Sequence, residues 1–125
     1  MNKREIGTCY EQKAADYLRE KGLTILAYNY RCRMGEIDLI ALDERAHVMG
    51  DHEKTCVFIE VKYRKSAKSG QPWEAVDHKK RKTIFRVAEH YRLTHGGLSN
   101  MNFRFDVISI LDDQITWFPN AFPCQ

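Results

Sequence analysis

The sequence lacks the features that mark membrane, secreted and multidomain proteins. No apolar run approaches the roughly 18 residues that a membrane-spanning helix needs. The polar start, Met1-Asn2-Lys3-Arg4-Glu5, has no apolar stretch typical of a secretory signal. The chain has only 3 prolines among its 125 residues and no linker-like or low-complexity tract. We therefore expect a single domain, residues 1–125, in the cytoplasm and away from membranes.

The 4 cysteines are scattered and include no C-x-x-C pair, which argues against a disulfide framework or a standard zinc site. His47, His52 and Cys56 are close enough in sequence to approach a metal. However, they occupy a polar stretch where histidines are usually solvated, and loose His/Cys patterns often match by accident. We favour a solvated loop over a zinc site here.

Positive charge is modest in total but uneven in distribution. The formal net charge is +3, which permits nucleic-acid binding without requiring it. The basic residues gather in three clusters: Arg31 with Arg33, Lys62 to Lys68, and Lys79 to Lys82. These clusters make a nucleic-acid partner worth considering.

Hydrophobic periodicity predicts two helices. The first runs from about Lys3 to Lys21, and Gly22 is well placed to end it. The second runs from about Trp73 to Thr94 and ends at Gly96-Gly97.

Runs rich in β-branched and aromatic residues predict five strands. The strands span about Leu23–Tyr30, Glu36–Leu42, Thr55–Tyr63, Phe103–Ile110 and Ile115–Phe118. Polar loops are expected over Asp43–Lys54 and Ser66–Gln71. The order α-β-β-β-α-β-β favours an α/β protein with a mixed sheet flanked by helices.

Two predicted strands carry charged residues among apolar neighbours. Because side chains alternate along a strand, Glu36, Asp38 and Ile40 are expected to share one face. By the same rule, Glu60 and Lys62 share a face of the next strand. Charged groups on a buried strand are costly to desolvate unless they are paired or bind a metal.

Two explanations of these charges stay open at this point. One is a structural ion pair between Glu60 and Lys62, assisted by Asp38. The other is a metal site, since Mg²⁺ usually takes one or two protein carboxylates and completes its shell with water and phosphate. Asp38 and Glu60 would supply those carboxylates, and Lys62 would stabilise the negative charge of a phosphodiester transition state.

Several further segments carry short motifs in a fixed order along the chain. They are Glu11–Leu18, Asn29–Arg31, Gly35–Ile40, Phe58–Arg64, Phe105–Ile108 and Asn120–Phe122. Asp38 followed by Glu60-x-Lys62 on the next strand resembles the PD-(D/E)-x-K nuclease superfamily. Together, the segments resemble the bacterial YraN family, an endonuclease-like group related in fold to archaeal Holliday-junction resolvases. Each motif alone is weak, but the combination is specific and covers nearly the whole chain.

The resemblance implies a restriction-endonuclease-like fold and a Mg²⁺- or Mn²⁺-dependent endonuclease acting on DNA. Asp38 and Glu60 match the metal-binding carboxylates, and Lys62 matches the catalytic lysine. Glu11 matches an acidic residue of the first helix that joins the metal site in the resolvase relatives. Glu36 is a further candidate ligand because it is expected to share a face with Asp38.

Glu11 and Glu36 each keep a second explanation. Glu11 is either part of the metal site or an exposed helix carboxylate. Glu36 is a metal ligand, a group that contacts the ligands, or a feature of the adjacent turn. The chain also departs from the two family patterns. Ile37 precedes Asp38 where the superfamily has proline, and Tyr10 stands where the YraN family often has glycine.

Basic residues flank the predicted active strands and could hold phosphates on each side of the cut without reading sequence. The candidates are Arg31, Arg33, Arg64, Lys65, Lys68 and Lys80. The alternative is a solvated basic rim. DNA is preferred to RNA as the partner, with branched or recombination intermediates as the substrates that the resemblance suggests.

The aromatic residues are expected to serve packing more than base stacking. Trp73 and Trp117 are predicted to pack in a core or an oligomer contact. Trp117, Phe118, Phe122 and Pro123 form an apolar C-terminal end, which either folds back on the sheet or forms a homodimer contact. Two functions besides a nuclease stay open: a non-catalytic nucleic-acid-binding module on a nuclease fold, and a protein-interaction subunit.

Overall fold

A computed structural model of the chain describes residues 2–45, 54–64, 77–98 and 100–122. Within these residues the elements are α1 Lys3–Glu20, β1 Thr24–Cys32, β2 Gly35–Asp43, β3 Thr55–Arg64, α2 His78–Thr94, β4 Asn102–Leu111 and β5 Gln114–Phe118. The predicted order α-β-β-β-α-β-β is confirmed, and the mixed α/β architecture is consistent with a nuclease-like fold. Neither described helix is long and apolar enough to cross a membrane.

The described strands form one mixed sheet in the order β1-β2-β3-β4-β5. Antiparallel pairing joins β1 to β2, β2 to β3 and β4 to β5, whereas β3 and β4 are parallel. Parallel neighbours need a crossover connection, and α2 lies in it. In this strand order β3, which carries Glu60 and Lys62, is the central strand of the sheet.

The two helices cover opposite faces of the sheet. Phe58 of β3 packs in a buried cluster with Ile84 of α2. Its neighbours Val57 and Ile59 pack in a second cluster with Leu18 of α1. We call these faces the α2 side and the α1 side. The predicted alternation of side chains along β3 is therefore confirmed.

The alternation is interrupted in the β1–β2 hairpin beside Asp38. Ile37 and Ile40 pack together on the α2 side, although strict alternation puts residues three apart on opposite faces. Opposite Asp38, Asn29 of β1 has a left-handed backbone with φ 46°. Glu36 lines a cavity with residues of α1. The prediction that Glu36 and Ile40 share a face is therefore wrong, because the strand changes its facing between them.

Gly35 lets the end of this hairpin lie directly against α2. Its φ is 147°, and a Cβ atom there would stand 2.6 Å from Cγ2 of Thr83. Any side chain at this position would push the hairpin off the helix. Gly35 thus fixes the distance between β2 and α2, the two elements that carry Asp38 and Lys80.

Helix α2 begins later than the periodicity predicts. Asp77 is its N-cap, with an extended backbone (φ −72°, ψ 174°), and accepts a 2.8 Å hydrogen bond from the backbone N–H of Lys80. The predicted start at Trp73 is therefore wrong, since a helix cannot continue through an extended residue. Trp73 itself lies outside the described residues.

The C-terminal aromatic residues fold back on the sheet. Phe122 is buried, and its ring stacks on Phe105 with the centroids 5.4 Å apart. The indole Nε1–H of Trp117 donates a 2.9 Å hydrogen bond to Oδ2 of Asp106. The packing role of Trp117 is confirmed, while the homodimer stays a prediction. Pro123 lies outside the described residues.

Candidate active site

The predicted catalytic residues lie where β2 and β3 separate. The ladder between these strands ends at Leu39. One residue further, Oδ2 of Asp38 accepts a 2.8 Å hydrogen bond from the backbone N–H of Val61, which stands between Glu60 and Lys62. The carboxylate of Asp38 thus occupies the fork between the strands, and the structure brings Asp38, Glu60 and Lys62 together.

Glu60 is a buried carboxylate with incomplete charge compensation. It is 3% exposed, and its Oε2 lies 3.7 Å from Nζ of Lys80 on α2. Burial and the charge of Asp38 raise the pKa of Glu60 to about 7, although Lys80 and Lys62 oppose the shift. The expected structural ion pair of Glu60 with Lys62 holds only in part. The cation in contact with Glu60 among the described residues is Lys80, and the pKa of Glu60 stays raised despite this contact.

Asp38 has the same electrostatic character. Burial raises the pKa of Asp38, and the negative charge of Glu36 adds to the effect. The hydrogen bond from Val61 and the charges of Lys80 and Lys62 lower the pKa without cancelling the burial.

Glu11 brings a third carboxylate to the site from α1. Its Oε2 accepts a 2.6 Å hydrogen bond from Nδ2 of Asn29, so it faces the sheet and is not the exposed helix carboxylate of the alternative explanation. Burial and the charge of Asp38 raise the pKa of Glu11 to about 7. Sequence reasoning included Asn29 in a family-like segment but assigned it no role at the site. A further signal is an asparagine inside a strand, where it is disfavoured unless it adopts a special backbone conformation.

Glu36 lies at the edge of the site. Its Oε2 accepts a 2.9 Å hydrogen bond from Nε of Arg31, and both side chains are about half exposed. Its negative charge nevertheless raises the pKa values of Glu11, Asp38 and Glu60. Glu36 is therefore electrostatically part of the carboxylate group but is already paired.

The arrangement fits a hard divalent cation. Raised pKa values at Glu11, Asp38 and Glu60 mean that the cations of the described residues do not fully offset the burial and mutual repulsion of these carboxylates. Among the described residues, no three Asp, Glu, His or Cys side chains converge into a closed metal cage. Mg²⁺ suits such an open set, since it keeps several waters and needs only one or two carboxylates.

The predicted phosphate contacts surround this site unevenly. Arg33 is exposed in the turn between β1 and β2, and Arg64 is half-buried at the end of β3. Arg31 and Lys80 are engaged by carboxylates of the site. Outside the described residues lie Lys65 and Lys68.

Cys56 does not belong to a polar loop. It is fully buried in β3 on the α2 side, and burial raises the pKa of its thiol to about 12. A protonated, buried thiol is a poor zinc ligand. His47 and His52 lie outside the described residues.

A second set of buried carboxylates, which sequence reasoning missed, lies near the other end of β2. Asp43, predicted to begin a loop, is instead the last residue of β2 and fully buried. Its Oδ2 accepts hydrogen bonds of 2.8 Å from Arg104 and 2.9 Å from Arg45. Arg104 also donates to Asp106 at 3.0 Å. The sequence signal for this network is the pair Arg104 and Asp106. The two residues are two apart on a largely apolar strand, so their side chains share a face and can pair.

This network compensates its own charge. Burial by itself raises the pKa of Asp43, but the hydrogen bonds from Arg45 and Arg104 outweigh it and hold the pKa well below its usual range. Asp106 additionally accepts hydrogen bonds from Trp117 and from the backbone N–H of Asn120, at 2.9 and 2.8 Å. We therefore assign the network to structure: it fastens β2, β4 and the C-terminal segment together.

The sequence is similar to one family and to many of its proteins. The model of uncharacterised protein family UPF0102 matches residues 10–110, which include all predicted catalytic and metal-binding residues. A UPF0102 protein of Lachnoclostridium phytofermentans is 41% identical over 98% of this chain and 96% of its own length. A Clostridioides difficile relative is 42% identical over 98% and 100%, and one from Alkaliphilus oremlandii is 48% identical over 88% and 86%.

Proposed function

We propose, from the premise that the chain belongs to the UPF0102 (YraN) family, that it is a Mg²⁺- or Mn²⁺-dependent endonuclease hydrolysing phosphodiester bonds in DNA. One observation carries the proposal. The half-buried carboxylate of Asp38 and the buried carboxylate of Glu60 share the fork between β2 and β3 with Lys62, and their raised pKa values mean that neighbouring cations do not offset the burial. A structural ion-pair network does the opposite, as Asp43 demonstrates.

In this proposal Asp38 and Glu60 hold the metal ion, and Glu11 borders the same site from α1. A bound Mg²⁺ or Mn²⁺ would act as a Lewis acid, which polarises a phosphate oxygen and makes water a better nucleophile. Lys62 places its ammonium group where negative charge grows as the phosphate becomes five-coordinate. Lys80, 3.7 Å from Glu60, orients that carboxylate from α2.

The basic residues around the fork hold the substrate backbone. Arg33 and Arg64 flank the fork on the turn after β1 and at the end of β3. Contacts of this kind are made to phosphates and carry no sequence information, so we expect a nuclease selective for the shape of DNA. Branched DNA and recombination intermediates are the substrates that the resemblance to resolvases favours, with a cytoplasmic protein and a homodimer as further expectations.

The test is a cleavage assay on duplex, flap, single-stranded and four-way-junction DNA with Mg²⁺ or Mn²⁺. Lys62→Ala and Glu60→Gln should each slow cleavage by at least about 100-fold, the usual effect of removing one group that stabilises a transition state. Lys82→Ala, which removes an exposed lysine of α2, is the matched control and should cleave at the wild-type rate.

Each other outcome decides against the proposal. Equal cleavage by all the proteins would identify a contaminating nuclease. Salt-dependent DNA binding without cleavage at any metal concentration would favour the non-catalytic binding module. Neither binding nor cleavage would favour the protein-interaction subunit.

A further inference from the structure

Two cavities meet beneath the first turns of α1, next to the carboxylate group. The larger, of about 420 Å³, is lined by Arg4, Arg31 and Glu36 among others. The smaller, of about 300 Å³, reaches Asp38. Gly7 and Glu11 line both cavities. The two cavities therefore adjoin at Gly7 and Glu11, and we call them together the α1 groove.

The chemistry of the α1 groove suits a phosphate backbone carrying bases. Arg4 and Lys3 supply positive charge to the larger and the smaller cavity respectively. Carboxylates of Glu11, Glu36 and Asp38 also line the groove, so the phosphates of a bound strand would lie towards Arg4 and Lys3. At the end near Asp38, Tyr10 and Tyr63 stack with their ring centroids 3.8 Å apart and form a rigid aromatic wall. Basic side chains that follow a backbone, combined with aromatic rings that contact bases, are the usual means of binding single-stranded nucleic acid.

The size of the groove sets the form of the nucleic acid. Cavities of roughly 300 to 400 Å³ lie at the lower end of the range that holds small-molecule ligands. Such a space accepts the base and sugar of one nucleotide. A base pair with both its backbones is larger than either cavity, so a base that enters one has left its pair.

We propose that the α1 groove holds an unpaired DNA strand, with one nucleotide in each cavity and the linking phosphate near Lys3 and Arg4. The nuclease would then require a single-stranded segment or a frayed junction at the cut. This inference rests on the proposed nuclease function for its biological meaning, but binding of a strand in the groove is measurable without any cleavage.

Gly7 provides a way to fill the groove without disturbing the fold. A Cβ atom at Gly7 would have no other atom within 4 Å, although the residue lines both cavities. Glycine inside a helix is less favourable than residues with side chains by roughly 1 kcal/mol. We therefore expect Gly7→Leu to fold at least as stably as the wild type while its side chain occupies the groove.

The experiment compares Gly7→Leu with Gly96→Leu, a second glycine with open space around it and outside the groove. Fluorescence anisotropy would measure binding of a labelled oligothymidylate and of a duplex of the same length. Ca²⁺ replaces Mg²⁺, and a gel verifies that the DNA stays intact. We expect Gly7→Leu to weaken oligothymidylate binding by about tenfold or more, equivalent to losing one stacked base. Gly7→Leu should bind the duplex with the wild-type affinity. Gly96→Leu should bind both the oligothymidylate and the duplex with the wild-type affinity.

A second pair of variants tests the charge of the groove. Arg4→Ala removes a groove arginine, whereas Arg86→Ala removes an exposed arginine of α2. Arg4→Ala should weaken oligothymidylate binding and reduce the slope of log affinity against log salt by about one phosphate contact. Arg86→Ala should leave that slope unchanged.

The possible results separate this inference from the proposed function. If the wild type cleaves DNA while Gly7→Leu binds and cleaves unpaired strands normally, the groove inference is wrong and the nuclease stands. If no protein cleaves but Gly7→Leu alone loses oligothymidylate binding, the groove stands and the nuclease fails. If Gly7→Leu weakened the binding of oligothymidylate and of duplex equally, the groove inference would also be wrong, because a site selective for single strands would not affect duplex binding.

Discussion

Two groups of buried carboxylates in one sheet have opposite electrostatics. Asp43 is bound by two arginines, and hydrogen bonds from them keep its pKa below the usual range despite its burial. Asp38, half-buried at the other end of β2, and Glu60, buried on β3, have raised pKa values instead. Burial acts to raise the pKa in each of the three, so the opposite outcomes depend on what opposes the burial.

The difference lies in the cations that the fold places within hydrogen-bonding distance. Guanidinium groups contact Asp43 at 2.8 and 2.9 Å, whereas the half-exposed Lys80 lies 3.7 Å from Glu60. We call a carboxylate satisfied when its partners hold its pKa below the usual range, and unsatisfied when its pKa stays raised. A satisfied carboxylate contributes to stability, whereas an unsatisfied one lowers the stability and is available to a ligand. Each of the following predictions would sharpen or break this distinction.

The largest expected effect is on the satisfied group. Asp43→Asn leaves Arg104 and Arg45 without their shared anion and should lower the free energy of unfolding by about 3–5 kcal/mol. Because the pKa of Asp43 is lower in the folded state, its contribution is complete above about pH 4 and is lost as the pH falls further. Urea denaturation at several pH values measures both effects. Asp113→Asn, at an aspartate whose side chain is 91% exposed, is the control. Equal stability of Asp43→Asn and this control would break the comparison.

The next effect concerns metal binding by the unsatisfied group. A divalent cation at about 100 times its Kd should raise the free energy of unfolding by about 2.7 kcal/mol. Since the pKa values of Glu11 and Glu60 are about 7, protons compete with the metal below that pH. The thermal shift with Mn²⁺ should therefore be larger near pH 8 than near pH 6. Calorimetric titration of wild type and Glu60→Gln with Mn²⁺ checks whether Glu60 binds the metal. An identical affinity and an identical thermal shift in both proteins would contradict the site.

Removing charge from the unsatisfied group should stabilise the metal-free protein. The pKa of Glu60 is raised in the folded state, so its ionised form disfavours folding above about pH 7, and this penalty vanishes below the unfolded pKa of about 4.3. We expect Glu60→Gln to gain about 1–2 kcal/mol near pH 8 and nothing near pH 4. Urea denaturation in a chelator measures this gain, with the exposed Glu89→Gln as control. A loss of stability would mean that the contact with Lys80 outweighs the burial.

The smallest effect belongs to the residue that orients Glu11. Asn29→Gly keeps the left-handed backbone but removes the 2.6 Å hydrogen bond to the carboxylate. We expect a loss of about 1 kcal/mol in stability and up to tenfold weaker metal binding. Calorimetric titration of Asn29→Gly against the exposed Asn100→Gly tests this. Unchanged metal affinity would remove Glu11 from the metal site.

Much of the fold was predictable because its determinants are local. Alternation along β3 correctly placed Glu60 opposite Val61, and helical spacing correctly placed Ala14 and Leu18 on the buried face of α1. The start of α2 was wrong because Asp77 is an N-cap, a feature that the hydrophobic pattern does not reveal. The face of Ile40 was wrong because alternation assumes a regular strand, and the hairpin is irregular around Asn29 and Asp38.

The sequence by itself determined the order of the elements, the central acidic and basic residues, and the family to which they belong. Only the tertiary structure decided which carboxylates are satisfied. Arg104 reaches Asp43 across 61 residues of chain, and Asn29 reaches Glu11 across 18. Periodicity describes the face on which a side chain lies. The pKa of a carboxylate depends on burial and on the charges that other elements bring to it, and both arise only when the chain has folded.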